Sequence, residues 1–423
     1  MKLWDFLARR MRAHASLPAF ADGTSYAALL SLVEARAKTC GGSGRLIPVA
    51  RHLRREQAVE ILAVLASGNA AVPLDLAYGA KRFEAVWRRI AEGGERCPDL
   101  AFVLFTSGTS GDPKGVMLTD ENILENLRMI ERYFPLEAGE RMLIARPLVH
   151  AAVLTGELLY GLCRGACLSF YEEAFQPSRL RREIEARSVS VLCGTPTLFA
   201  HLAAVSRGKP CGLKRCAISG ERLFPETAQK IAAAFPGVLF YHVYGLTEHA
   251  PRAAALPPEE FLSRAGSVGR LLPGVEGRIA DDGELLLRSP CVMKGYFGDP
   301  AATAAKIESG WLKTGDLVRQ DAGGYLYILG RKDGMLIRCG VNILPEEIEE
   351  AASACPGVRA CAVCGEADET KGQKITLFFQ GEVLPGKVRA FLAERLAAYL
   401  MPDAVRRAED LPVSPGGKRV RKC

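Results

Sequence analysis

One segment constrains this chain more than any other: residues 104–119 read LFTSGTSGDPKGVMLT. The apolar run Leu100–Phe105 that leads into it has the length and composition of a buried strand. Gly108, Gly111 and Gly115 then stand among small hydroxyl residues, with Lys114 alongside. Glycines let a backbone turn tightly and present its N–H groups to an anion. Thr106, Ser107, Thr109 and Ser110 add side-chain donors, and Lys114 adds a mobile positive charge. Strand, then a loop of glycine, hydroxyl and lysine, is a layout for holding a polyphosphate. It is not a Walker A loop, because no Gly-Lys-Ser/Thr follows the first glycine at the required spacing.

At 423 residues the chain is too long for one simple core and suits two or three. Its 48% hydrophobic and 24% charged residues are an ordinary globular balance. The best candidate for a membrane span, Pro147–Tyr171, is broken by His150, Glu157 and Arg164, so none is expected. The first twenty residues lack a secretory core and read as an amphipathic helix of the fold, in a cytoplasmic protein. The thirteen cysteines show no zinc-ligand spacing, and Cys361 with Cys364 reads as a packed pair of reduced thiols. The net charge of +7 is spread over separate clusters without interleaved aromatics. That argues against nucleic acid as a partner and suits phosphate-bearing small molecules or an acidic protein.

Along the chain, helical spacing at 28–37 and 57–68 alternates with a strand at 70–75. After the phosphate loop a helix is predicted over 122–133, with strands at 143–145, 189–193 and 216–219. Such alternation predicts layered α/β packing with largely parallel sheets. From about Gly266 short strands and turns predict a small β subdomain. The last ninety or so residues predict an α+β unit: helix 345–353, strands 358–364 and 374–379, helix 387–398.

The residues TSGTSGDPKG resemble the signature loop of the AMP-forming acyl-adenylating superfamily: acyl-CoA synthetases, adenylation domains and luciferases. Further segments resemble that family's motifs in the same order, over nearly the whole chain. In Tyr244-Gly245-Leu246-Thr247-Glu248, the resemblance implies that Glu248 shares a magnesium ion with Thr106 and that Tyr244 stacks on adenine. His242 stands where the family usually has Asn or Gln, which leaves the contact to the adenine edge open. Gly220 and Glu221 match the adenine-side loop, although a strand-to-helix turn with Glu221 in the first helical turn explains them nearly as well. Asp316, within GWLKTGDL, is similar to the ribose-binding aspartate, and Arg331 maps to an arginine that also contacts ribose.

Asp333 maps to the hinge about which the small domain swings, and Gly340 to the loop that meets the pantetheine arm. Lys418 matches the catalytic lysine, in a tail whose composition alone reads as basic and Gly/Pro-rich. His150 borders the acyl site by resemblance, or is a core histidine on an apolar run; Gly194 and Thr195 resemble another wall of that site. One departure is a short link between AAVPLD and the phosphate loop, residues 76–103, where the family has more chain.

The resemblance implies an α/β fold: a large multi-subdomain N-terminal domain (1–330) with a small β subdomain, a hinge (331–333) and a small mobile α+β domain (334–423). It implies an AMP-forming ligase that uses ATP, Mg²⁺ and CoA on a small carboxylic acid. Rival readings are loading of a carrier-protein phosphopantetheine arm and a non-catalytic nucleotide-binding scaffold; a homodimer is compatible with either. The segments 150–157 and 193–199 are mixed small and apolar, and no Asp is placed to grip an amino-acid ammonium, so an apolar aliphatic or aromatic acid is expected.

Overall fold

A computed structural model describes residues 1–76, 84, 86–88, 90, 98–106, 113–206, 211–339, 341–368, 370–409 and 411. Its centre is a seven-stranded sheet. Strands Cys167–Phe170, Arg141–Ile144, Val191–Gly194, Arg215–Ser219 and Leu239–Gly245 lie side by side and parallel. Arg252–Leu256 and Arg270–Leu271 continue the sheet antiparallel. Side chains alternate between its two faces, so Met142 and Ile144 join one hydrophobic core while Leu143 and Leu192 join another. A parallel sheet covered on both faces is buried, which explains the continuous apolar runs that mark these strands in the sequence.

A second sheet orders Leu46–Ala50, Ala70–Leu74, Leu100–Thr106, Lys114–Thr119 and Gly295–Tyr296. Leu100–Thr106 and Lys114–Thr119 pair antiparallel, with Thr106 opposite Lys114. The next helix, Asp120–Tyr133, starts on a capping box. Thr119 Oγ1 accepts from the Asn122 N–H, and Asn122 Oδ1 accepts from the Thr119 N–H. The Asn122 amide also donates to Pro290 O and Val292 O, fastening this helix to the chain just before Met293.

Short antiparallel strands between Glu276 and Arg331 form the expected β subdomain. Beyond it, helix Pro345–Ser353, strands Val358–Asp368 and Gly372–Gly381, helix Pro385–Ala393 and strand Ala404–Arg407 enclose their own core around Ile348, Val363, Leu377, Phe379 and Leu392. The first of these helices has Pro at its first position and Glu346 and Glu347 in its first turn, both favoured at a helix N-terminus. The last predicted helix is shorter than expected, ending at Ala393.

The amphipathic N-terminal helix, Leu3–Arg12, buries Leu3, Phe6, Leu7 and Met11 in the main core. Among the described residues no helix is long and apolar enough to cross a membrane. One expectation is corrected: Cys361 and Cys364 are both buried, but Cys364 is disulfide-bonded, so the two are not a reduced pair.

Candidate active site

Several of the predicted site residues lie at one end of the central sheet. Gly194-Thr195, Gly220-Glu221 and Gly245-Leu246-Thr247 each follow the carboxyl end of one of three adjacent parallel strands. In open α/β sheets that end is where ligands bind.

The geometry centres on Asp316, on strand Trp311–Gln320. Its carboxylate is buried and held from two sides. The Tyr244 hydroxyl donates to Oδ2 at 2.6 Å, and Arg331 Nη1 meets Oδ1 at 3.2 Å. Arg331 also forks onto Asp333, with contacts of 3.1 and 3.3 Å. Burial pushes Asp316 above the usual carboxylate range, against the pull of Arg331. Burial raises Asp333 too, but there its hydrogen bond and charge pairing with Arg331 prevail and its pKa is lowered. Asp316 and Arg331 face each other as cross-strand partners. Gly315, at φ +80°, is in the left-handed region that favours glycine, and an added Cβ would press on the Arg331 guanidinium.

A second chain of contacts links the phosphate loop to Glu248. Lys114 Nζ lies 5.2 Å from the centre of the Tyr296 ring, and the Tyr296 hydroxyl donates to Glu248 Oε1 at 2.9 Å. Lys306, half-sequestered nearby, donates to Thr314 O at 3.2 Å; burial lowers its pKa although Glu248 opposes this. Thr106 and Glu248 are both half-buried oxygen donors. One carboxylate and one hydroxyl, completed by phosphate oxygens and water, fit Mg²⁺, which seldom uses an all-protein cage. Among the described residues no cluster of three His, Cys, Asp or Glu offers an alternative metal site.

Some expected residues are engaged elsewhere. His242 is buried, with Nδ1 2.6 Å from Ser267 O; burial lowers its pKa to about 4, so the ring is neutral and this nitrogen carries the donated proton. Glu221 precedes its helix rather than lying in the first turn. It accepts from the Thr197 hydroxyl at 2.6 Å and the Thr197 N–H at 3.3 Å, so it caps the neighbouring helix Pro196–Ser206. His150 is the N-cap residue of the helical segment that begins at Ala151. Ser107, Gly108, Thr109, Ser110, Gly111, Gly340 and Lys418 lie outside the described residues.

The expected acyl wall is not apolar throughout. Glu157 is fully buried in a π-helical turn, Leu154–Leu159, and pairs with Arg146 at 2.8 Å. Burial raises its pKa while Arg146 and Arg252 oppose that. Sequence reasoning missed Tyr296, Lys306, Arg146 and Arg252. Tyr296 sits within the segment GYFGDP, whose glycine-framed aromatics carry a signal; the others have no local motif.

The small domain rests on the large one through Arg222. Its Nη2 pairs with Glu350 of the small domain at 2.5 Å, while its Nη1 donates to Leu329 O within the large domain at 3.1 Å. Lys230 adds a donation to Ser353 O at 3.4 Å.

A parallel-sheet end, a hydroxyl–carboxylate–guanidinium chain and a lysine–tyrosine–glutamate chain thus lie together in an α/β fold whose strand ends are a place for a ligand. The chain matches the AMP-binding enzyme family over residues 94–297 and the AMP-binding enzyme C-terminal domain over 347–418. It is 32% identical over 338 residues to a feruloyl-CoA synthase from Amycolatopsis sp, covering 76% of this chain and 68% of that one. It is 32% identical over 361 residues to an indoleacetate–CoA ligase from Aromatoleum aromaticum, covering 80% and 70%. The solved o-succinylbenzoate CoA synthetase of Bacillus subtilis in complex with AMP superimposes with a TM-score of 0.82 at 25% identity, covering 98% and 97%. This chain belongs to the AMP-forming acyl-adenylating family.

Proposed function

We propose that this chain joins a carboxylic acid to the thiol of CoA, driven by ATP. The acid carboxylate attacks the α-phosphorus, and the bond to the bridging oxygen breaks, giving acyl-AMP and pyrophosphate. The thiol then gives up its proton and attacks the acyl carbon, and AMP leaves with the electron pair. No enzyme nucleophile is needed. Joining an acid to CoA is what the names of the two curated relatives share, and that shared reaction is carried to this chain.

The observation that carries the assignment of roles is the chain from buried Tyr244 and Asp316 to exposed Arg331, beside the strand-end loops. Asp316 and Arg331 take the ribose hydroxyls, and the Tyr244 ring covers adenine. Gly220, Glu221, His242, Gly245 and Thr247 shape the adenine side. The 106–114 loop holds the phosphates. Glu248 and Thr106 would hold Mg²⁺, whose charge, when bound, would offset that of the phosphates. Lys418 stabilises the charge that builds on the five-coordinate phosphorus. His150, Gly194 and Thr195 line the acyl site.

Residues 331–333 act as the hinge between domains 1–330 and 334–423. A swing about Asp333 withdraws Lys418 and presents the Gly340 loop to the pantetheine arm. The two half-reactions test this reading. Lys418→Ala should abolish acyl-AMP formation, by about 100-fold or more, yet spare thioester formation from supplied acyl-AMP. Equal loss of both would contradict the two-position assignment.

A further inference from the structure

The wall behind the acyl site holds more guanidinium charge than carboxylate. Arg252 is 3% exposed and has no carboxylate partner among the described residues. Its backbone is clamped: Asn126 accepts from the Arg252 N–H at 3.2 Å and donates to Arg252 O at 3.0 Å, while His249 Nδ1 lies 3.0 Å from the same carbonyl. Its side chain donates to Ala152 O at 3.3 Å and lies against Gly156, where a Cβ would collide with it. The fixed guanidinium therefore occupies the turn that carries Glu157.

Glu157 pairs directly with Arg146 and feels the Arg252 charge at longer range, so two guanidiniums share one buried carboxylate. Three buried polar atoms of this cluster have no hydrogen-bond partner among the described residues: Arg252 Nε, Arg146 Nε and Glu157 Oε2. Arg146 also reaches the strand-end loops. Its Nη1 lies 4.0 Å from where a Cβ on Gly220 would be, and Thr195 Cγ2 lies 3.8 Å from that same point. A buried, unpaired charge is costly unless something neutralises it.

We infer that the acid substrate carries a second anionic group, remote from the reacting carboxylate, which is received by Arg252 with Arg146 beside it. This rests on the acid–CoA ligase reading and replaces the expected apolar acid. An ammonium-bearing tail is disfavoured by the same excess of positive charge.

The test uses the full chain and matched pairs of acids: hexanoate with adipate, octanoate with suberate, benzoate with terephthalate. Acid-dependent pyrophosphate release should favour the diacid of at least one pair by about tenfold or more in kcat/KM. Arg252→Met should lower the diacid-to-monoacid ratio by roughly 10- to 100-fold, chiefly through KM. Arg252→Lys should restore part of it.

Because Arg252 is buried, Glu157→Gln gives an independent reading. Releasing Arg146 from its carboxylate should lower KM for the diacid relative to the monoacid. Monoacids preferred in every pair would overturn the second-anion site and leave the ligase reading intact. If no acid is turned over, the ligase reading fails, and binding decides the site separately. A diacid that raises the Tm of the wild-type chain but not of Arg252→Met upholds it, and no shift with any diacid overturns it.

Discussion

Tyr244 donates its hydroxyl hydrogen to Asp316 across 2.6 Å, joining the carboxyl end of a central-sheet strand to the β subdomain. The two residues are 72 positions apart in the chain. The bond orients the aspartate while Arg331 holds its other oxygen. A carboxylate fixed in this way has already lost its conformational entropy before it meets the hydroxyls it is proposed to receive.

Asp316→Asn keeps the shape of the side chain and removes its charge. Affinity for ATP should fall by roughly 10- to 100-fold, the effect of losing charge-assisted hydrogen bonds. Calorimetric titration with ATP checks this, and an unchanged Kd would remove Asp316 from the ribose role.

Two glycines should respond in opposite ways. A Cβ at Gly245 would collide with Pro251 O, a backbone atom that cannot step aside. Gly245→Ala should cost on the order of 2–4 kcal/mol. Gly386, near the start of helix Pro385–Ala393, faces open space, and Gly386→Ala should be neutral or stabilising by up to about 1 kcal/mol. Urea unfolding of both variants decides; equal effects would mean that Pro251 O does not crowd Gly245.

Stability should decline on mild acidification. Burial lowers the pKa values of His242 and His249 to about 4, from the ordinary 6.5. Between these values the unfolded chain binds protons that the folded chain refuses. Stability therefore rises with pH across this window and is lost as pH falls from about 6.5 towards 4. The effect is on the order of 3 kcal/mol for each histidine. Denaturant unfolding at pH 7 and pH 5 measures it, and a flat profile would show that these rings protonate freely in the folded state.

The motifs were legible where chemistry is packed into a short stretch. The phosphate loop, the Tyr244–Glu248 segment and Asp316 announce themselves by residue type and spacing. The central strands were legible because burial on both faces makes them continuously apolar. What was not legible depends on distant partners. Glu221 looked like a helix-start residue, yet it caps a helix that begins earlier in the chain, through Thr197. The sequence left the contact of His242 to an adenine edge open, and it could not show that Ser267 O takes the Nδ1 proton. Glu157 stood out as the acidic residue of its segment, but its partners did not: Arg146 and Arg252 are lone charges in apolar or small-residue runs. Only the folded chain brings the three together.

The most direct test of the central claim follows the products made from ATP by the purified chain, with a panel of acids, with and without CoA. The account predicts pyrophosphate and AMP that appear only with acid, and acyl-CoA in equal amount when CoA is added. Release of ADP and phosphate instead, or ATP consumption indifferent to the acid, would contradict it.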